Sequence, residues 1–185
     1  DALSADQVVA LTCALDELTS DDPNRIHNVA DIFGRRADFL DLIDLPTVLP
    51  AVQALLGNNI WVNHSHYNVN PPDEESRRRD REQGYGWHRD GGVINDDLRI
   101  SAPLLSIKVA FYLSDLSESG RGQTYVIRGS HSTGEQSPGN FELPDSAQPI
   151  CVSPGSAMLF DRRMIHSIRS PNESDIVRKA IFIQY

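Results

Sequence analysis

The spacing of apolar residues changes once along the chain, near Gly57, and this change restricts the fold more than any other feature. Before it, Val8, Val9, Leu11, Leu15 and Leu18 fall at helical intervals within residues 4–18, with Ser4 and Asp6 placed to cap the start. A second helical region covers about 36–56, interrupted at Pro46 and stopped at Gly57, with Phe39, Leu42, Val48 and Val52 among its apolar positions. After Gly57, strand-like stretches at 60–69, 104–113, 123–128, 157–160 and 176–185 are separated by Gly, Pro, Asn and Asp clusters. Helices first and strands afterwards, without the βαβ alternation of a parallel sheet, point to an antiparallel sandwich or barrel buttressed by helices. The 185 residues suit a single domain, residues 1–185, with a helical buttress at about 1–57 and a β core at about 58–185.

Charge narrows the partners. With 17 basic against 26 acidic residues and a formal net charge of -9, the surface argues against nucleic acid and anionic lipid as partners. No run approaches the roughly 18 apolar residues that cross a bilayer. Cys13 and Cys151 match no paired metal-binding spacing and read as two buried, reduced thiols, which places the chain in the cytoplasm. The stretch at 71–83 (PPDEESRRRDREQ) is too charged for a core and is expected to be a solvated loop.

The segment 84–92 (GYGWHRDGG) carries the chemistry. On a strand, side chains two apart leave from one face, so His88 and Asp90 converge on one metal ion while Arg89 points away. His166 is the candidate third ligand, with His131 as a competing imidazole. Two histidines and one carboxylate on one face of an octahedral ion leave three positions open, the arrangement of non-haem Fe(II) oxygenases. Arg178 follows beyond the turn at 171–174 (PNES), where a guanidinium would hold the distal carboxylate of 2-oxoglutarate by paired, charge-assisted hydrogen bonds. His64 and His66 share a strand face as either a second metal pair or cavity contacts. In 107–113, Ile107, Val109, Phe111 and Leu113 alternate with Lys108, Ala110 and Tyr112; if the apolar set packs on the helices, Lys108 faces inward, within reach of a cosubstrate. Arg163 and Arg169 flank His166, and Arg169 is a candidate contact for an acidic substrate group.

These motifs, WHRDGG at 87–92, IKVAFYLSD at 107–115, the segment 122–131, PGSAMLFD at 154–161, and His166 with Arg178, together resemble the phytanoyl-CoA hydroxylase family of Fe(II)/2-oxoglutarate oxygenases. The resemblance implies a mainly β fold with flanking helices: a double-stranded β-helix, or cupin-like jelly roll, with the N-terminal helices packed on one sheet. It implies His88, Asp90 and His166 as iron ligands and Arg178 as anchor of 2-oxoglutarate. By the same likeness Asn68 would lie beside that cosubstrate; independently of it, Thr124 is expected to approach the cosubstrate in the barrel mouth, and His64 and His66 to face the cavity as cosubstrate or substrate contacts. Asn70 stands where many relatives carry lysine. The expected reaction consumes O2 and 2-oxoglutarate, releases succinate and CO2, and hydroxylates or otherwise oxidises a C–H bond of a small molecule, with a secondary metabolite as the favoured class. Relatives that halogenate have a small residue in place of the carboxylate, so Asp90 favours hydroxylation. The alternatives are a cupin-type metalloenzyme independent of 2-oxoglutarate and a non-catalytic metal-binding β-barrel module.

Overall fold

A computed structural model of the chain describes residues 1–73, 84–90 and 103–185. Helix α1 (Ala5–Leu18) begins at a capping box, in which the Ser4 hydroxyl accepts the Gln7 N–H at 3.2 Å and the Gln7 side chain accepts the Ser4 N–H at 2.8 Å. Its buried stripe is Leu11, Ala14 and Leu15. The region 36–56 is helical on both sides of an interruption at Pro46. It divides into a 3₁₀ segment (Ala37–Leu42) and a short helix, Leu49–Leu56, with Pro46 between them. The second piece ends at Gly57, whose φ of +86° lies in the region an L side chain rarely adopts.

Two elements in the first third escape the periodicity. Strand β1 (His27–Ala30) and a single helical turn, α2 (Ile32–Arg35), precede the 3₁₀ segment, so Leu49–Leu56 is α3. β1 pairs antiparallel with β2 (His64–Asn70), so the N-terminal third supplies an edge of the main sheet as well as helices. β3 (Ile107–Tyr112), β4 (Tyr125–Ile127), β5 (Ala147–Pro149), β6 (Ala157–Asp161) and β7 (Arg178–Gln184) follow. Five strands form an antiparallel sheet in the order β1-β2-β7-β3-β6, and β4 pairs with β5 in a second, smaller sheet.

Period-two alternation gives the main sheet two chemically different faces. Tyr67 and Val69 from β2, Val109 and Phe111 from β3, and Ile181 and Ile183 from β7 pack on Leu11, Leu15, Phe39, Leu42, Val48 and Val52 of the helical layer. The intervening positions, His66, Asn68, Lys108, Tyr112, Arg178 and Phe182, point the other way. Closing the first face removes several large aliphatic and aromatic side chains from water at roughly 1.5–3 kcal/mol each, which offsets the burial of polar groups on the second.

Cys13 and Cys151 are both free and exposed, not buried. Cys13 lies on the outer side of α1, because Leu11, Ala14 and Leu15 occupy the inward stripe. Most of the charged stretch at 71–83 lies outside the described residues; Asp73 is described, and its carboxylate accepts the Asn172 N–H at 2.9 Å. Among the described residues no helix is long and apolar enough to cross a membrane.

Candidate metal centre

His88 and His166 are far apart in sequence but directly opposite in space. Each donates its backbone N–H to the other's carbonyl at 3.0 Å, an antiparallel bridge that sends both side chains to the same side. Their ring centroids are 4.2 Å apart. Asp90 is held next to them by its N–H, which donates to the Arg162 carbonyl at 2.9 Å.

The imidazole orientations are fixed from behind. Nδ1 of His88 lies 3.0 Å from the Gly86 carbonyl and Nδ1 of His166 lies 2.9 Å from the Met164 carbonyl. A carbonyl only accepts, so Nδ1 carries a proton in each ring and Nε2 is the nitrogen turned toward the site, the one whose lone pair binds a metal in a neutral ring. Those Nε2 atoms lie 3.5 Å and 3.8 Å from the two carboxylate oxygens of Asp90. One ligand atom from each of His88, Asp90 and His166 falls within 4.8 Å of the others. Asp90 Oδ2 is buried, and the Lys108 ammonium lies 2.7 Å from it. Two nitrogens and one oxygen converging in this way fit a divalent transition metal with three positions left open.

Electrostatics agree with that fit. Burial, reinforced by neighbouring His88, pushes the His166 imidazole down to about 3, so it is neutral at physiological pH. Burial opposes the charge on Asp90, but the imidazoles of His88 and His166 and the Lys108 ammonium outweigh it and hold the carboxyl below the usual carboxylate range.

A cavity of about 270 Å³ opens beside the triad, and His64, His66, Asn68, Lys108, Thr124 and Phe182 contribute to its wall. His66 stacks on Phe182 with ring centroids 4.5 Å apart and planes within 5°. Burial, with the Lys108 and His64 charges next in importance, pushes His66 down to about 3, and its Nδ1 has no partner among the described residues. Arg178 sits just behind this wall, 1% exposed. It donates through Nη1 to the Asn68 side chain and through Nη2 to the Thr124 hydroxyl at 3.0 Å. Its Nε is unpartnered among the described residues, and no carboxylate there forms an ion pair with it.

Not every sequence candidate reaches the cavity. Arg169 is half-buried and is not part of the wall, where Ser167 and Ile168 take its place. Arg163 is tied to Asp161 at 2.5 Å. His131 lies in a 3₁₀ segment (Ser130–Ser132), outside the triad. Lys108 faces inward as the alternation in β3 requires, but its partner is Asp90: Nζ donates to Oδ1 at 2.8 Å and lies 2.7 Å from Oδ2.

Several residues on the cavity side of the sheet carried no role in the sequence reading, Ser167, Ile168 and Phe182 among them. Asn28 and Ala30 of β1 belong to the wall, and only recognition of that four-residue strand would have found them. Tyr112 was within reach, because it shares the period-two face of Lys108. Its hydroxyl is fully buried beside Thr124 and Arg178 without a hydrogen bond of good geometry.

The fold recurs in solved structures. HygX from Streptomyces hygroscopicus, crystallised with nickel and 2-oxoglutarate, superposes with a TM-score of 0.72 at 16% identity, covering 99% of this chain and 78% of HygX. EctD from S. alaskensis with bound Fe gives 0.74 at 19% identity, covering 100% of this chain and 69% of EctD. SnoK, a non-heme alpha-ketoglutarate-dependent carbocyclase from nogalamycin biosynthesis, gives 0.72 at 19% identity, covering 99% of this chain and 76% of SnoK. At such identities the likeness establishes the fold, the jelly roll of these oxygenases with helices against one sheet. No curated protein matches the sequence. The family model for phytanoyl-CoA dioxygenase (PhyH) does match, over residues 1–180, and the chain therefore belongs to the phytanoyl-CoA dioxygenase family of Fe(II)/2-oxoglutarate-dependent oxygenases.

Proposed function

We propose that this oxygenase hydroxylates, or otherwise oxidises, a C–H bond of a small molecule, with a secondary metabolite as the favoured substrate class. Its own residues divide the work: His88, Asp90 and His166 hold the iron, and Arg178 with Asn68 and Thr124 receives the distal carboxylate of 2-oxoglutarate. The observation that carries this reading is the convergence of two Nδ1-anchored imidazoles and one carboxylate beside a buried guanidinium with no carboxylate partner among the described residues. An unpaired buried cation is costly unless an anion is meant to arrive, and a keto diacid supplies one.

Bound by these residues, iron and 2-oxoglutarate would supply the O2-dependent oxidising chemistry, with succinate and CO2 as co-products. The chain's contribution is geometric. The bridge between His88 and His166 holds two ligands on a rigid ladder, and the backbone carbonyls behind them fix both rings. His64, His66 and Phe182 form a wall of neutral rings against which a substrate can be oriented. Asp90 occupies a coordination position with carboxylate, which favours hydroxylation over halogenation. SnoK's place in nogalamycin biosynthesis supports a secondary metabolite as substrate.

The test is succinate release in the presence of Fe(II), ascorbate, O2 and 2-oxoglutarate, using the uncoupled turnover that proceeds without substrate. Succinate above the no-protein control, abolished in His166→Ala and Asp90→Ala, is the expected result. Metal binding without any succinate, or oxidation of a small molecule that needs no 2-oxoglutarate, would overturn it.

A further inference from the structure

Lys108 sits where a cation does not help a metal centre. Its side chain is 7% exposed, and its ammonium lies within 2.8 Å of both oxygens of Asp90, the only anionic member of the triad. It reaches there from β3 because the alternation that places Val109 and Phe111 in the helical core leaves residue 108 on the cavity face. Among the described residues Asp90 is its ion-pair partner, and the centroid of the Phe160 ring lies 6.0 Å from Nζ.

We propose that Lys108 is a positioning residue that keeps Asp90 a single-oxygen metal ligand, and that it does so by weakening the hold of the metal. The inference rests on His88, Asp90 and His166 being the metal ligands. Two cations then compete for one carboxylate. A divalent ion held by the Nε2 atoms of His88 and His166 takes one oxygen of Asp90, and the ammonium retains the other. The ion sits close to a fixed positive charge in a buried site, where repulsion is poorly screened. In return, the carboxylate cannot chelate through both oxygens, and all three remaining positions stay open for ligands from solution. Without the ammonium, the carboxylate is free to close on the metal with both oxygens.

Mn(II) titration of the metal-free protein, followed by the electron paramagnetic resonance of free Mn(II), reads the affinity. The water-proton relaxivity of the loaded protein reads the number of coordinated waters. Lys108→Met and Lys108→Gln, one apolar and one able to hydrogen-bond, are both expected to bind Mn(II) at least about tenfold more tightly than wild type. Relaxivity per bound Mn(II) should fall by about a third, as three open positions become two. A purely structural lysine predicts the reverse, since loosening Asp90 would weaken binding. Folded neutral variants with unchanged or weaker Mn(II) affinity, or with unchanged relaxivity, overturn the role of Lys108 alone. A wild-type protein that binds no Mn(II), or whose binding survives His166→Ala, overturns the ligand set itself.

Discussion

Replacing Arg178 with methionine should move two observables in opposite directions. In the free protein the guanidinium is 1% exposed, and burial pushes its pKa down from the ordinary arginine value. Methionine gives up two hydrogen bonds, to Asn68 and Thr124, worth about 1 kcal/mol each. It also removes a buried charge whose desolvation costs several kcal/mol. The free variant is therefore expected to melt at or above the wild-type temperature. Cosubstrate binding moves the other way. Two charge-assisted bonds to a carboxylate, at about 1.5–3 kcal/mol each, together supply roughly 3–6 kcal/mol. Their loss corresponds to about 10²- to 10⁴-fold in affinity. The assay is a thermal melt with Mn(II), with and without 2-oxoglutarate. At 100 times its Kd, the cosubstrate stabilises the wild type by about 2.7 kcal/mol, or roughly 5–10 °C for a domain of this size. The variant should keep at most about 0.4 kcal/mol of that stabilisation, or roughly 1–2 °C. A variant that keeps the ligand-induced shift, or one whose free form melts far below wild type, refutes the account of Arg178 as a cation held in waiting.

Two further outcomes follow from the same face of the sheet. Gly122 has a φ of +71°, and a Cβ there would lie 2.9 Å from Asn70 Nδ2 and 3.5 Å from Arg178 Cδ, so Gly122→Ala should cost about 1–3 kcal/mol in urea unfolding; an unchanged urea midpoint would contradict this. The second concerns pH: His66 is pushed down to about 3 in the folded protein, so between that value and its ordinary 6.5 the unfolded chain binds the extra proton. Stability attributable to His66 is present above about 6.5 and is lost as pH falls, by about 2 kcal/mol at pH 5. His66→Phe, which keeps a ring against Phe182, should flatten the pH 7 to pH 5 change in urea stability by about that amount. Equal slopes in the two proteins would remove the buried neutral imidazole from the explanation.

The convergence of His88, Asp90 and His166 was legible in part from local rules. A period of two puts His88 and Asp90 on one side, whereas the choice of His166 over His131 came from the family resemblance. The inward direction of Lys108 followed from the same alternation, since Val109 and Phe111 had to meet the helices. Its partner did not follow, because the contact between β3 and the segment carrying Asp90 is set by sheet order, which no local pattern encodes. β1 was missed for another reason. His27–Ala30 has one large aliphatic residue, and its pairing is carried by backbone bonds to β2 rather than by an apolar stripe. The exposure of Cys13 reflects a similar limit: helical spacing tells which stripe is buried only once the neighbouring layer is known.

The separation of duties between the two faces of the sheet explains how a chain of this length tolerates so many buried polar groups at one place. Arg178, Lys108, Asn68, Thr124 and His166 are each at most 5% exposed, and each sits on or beside a strand or bridge whose backbone bonds are already made. Their positions are therefore fixed by the ladder and by the aliphatic face behind it, not by their own pairing. That arrangement lets side chains stay incompletely satisfied, as Arg178 Nε and His66 Nδ1 do among the described residues. Each such atom costs about 1–3 kcal/mol while it waits. A ligand that satisfies several at once recovers that cost as binding energy, so the polar face contributes affinity because the apolar face has already secured the fold.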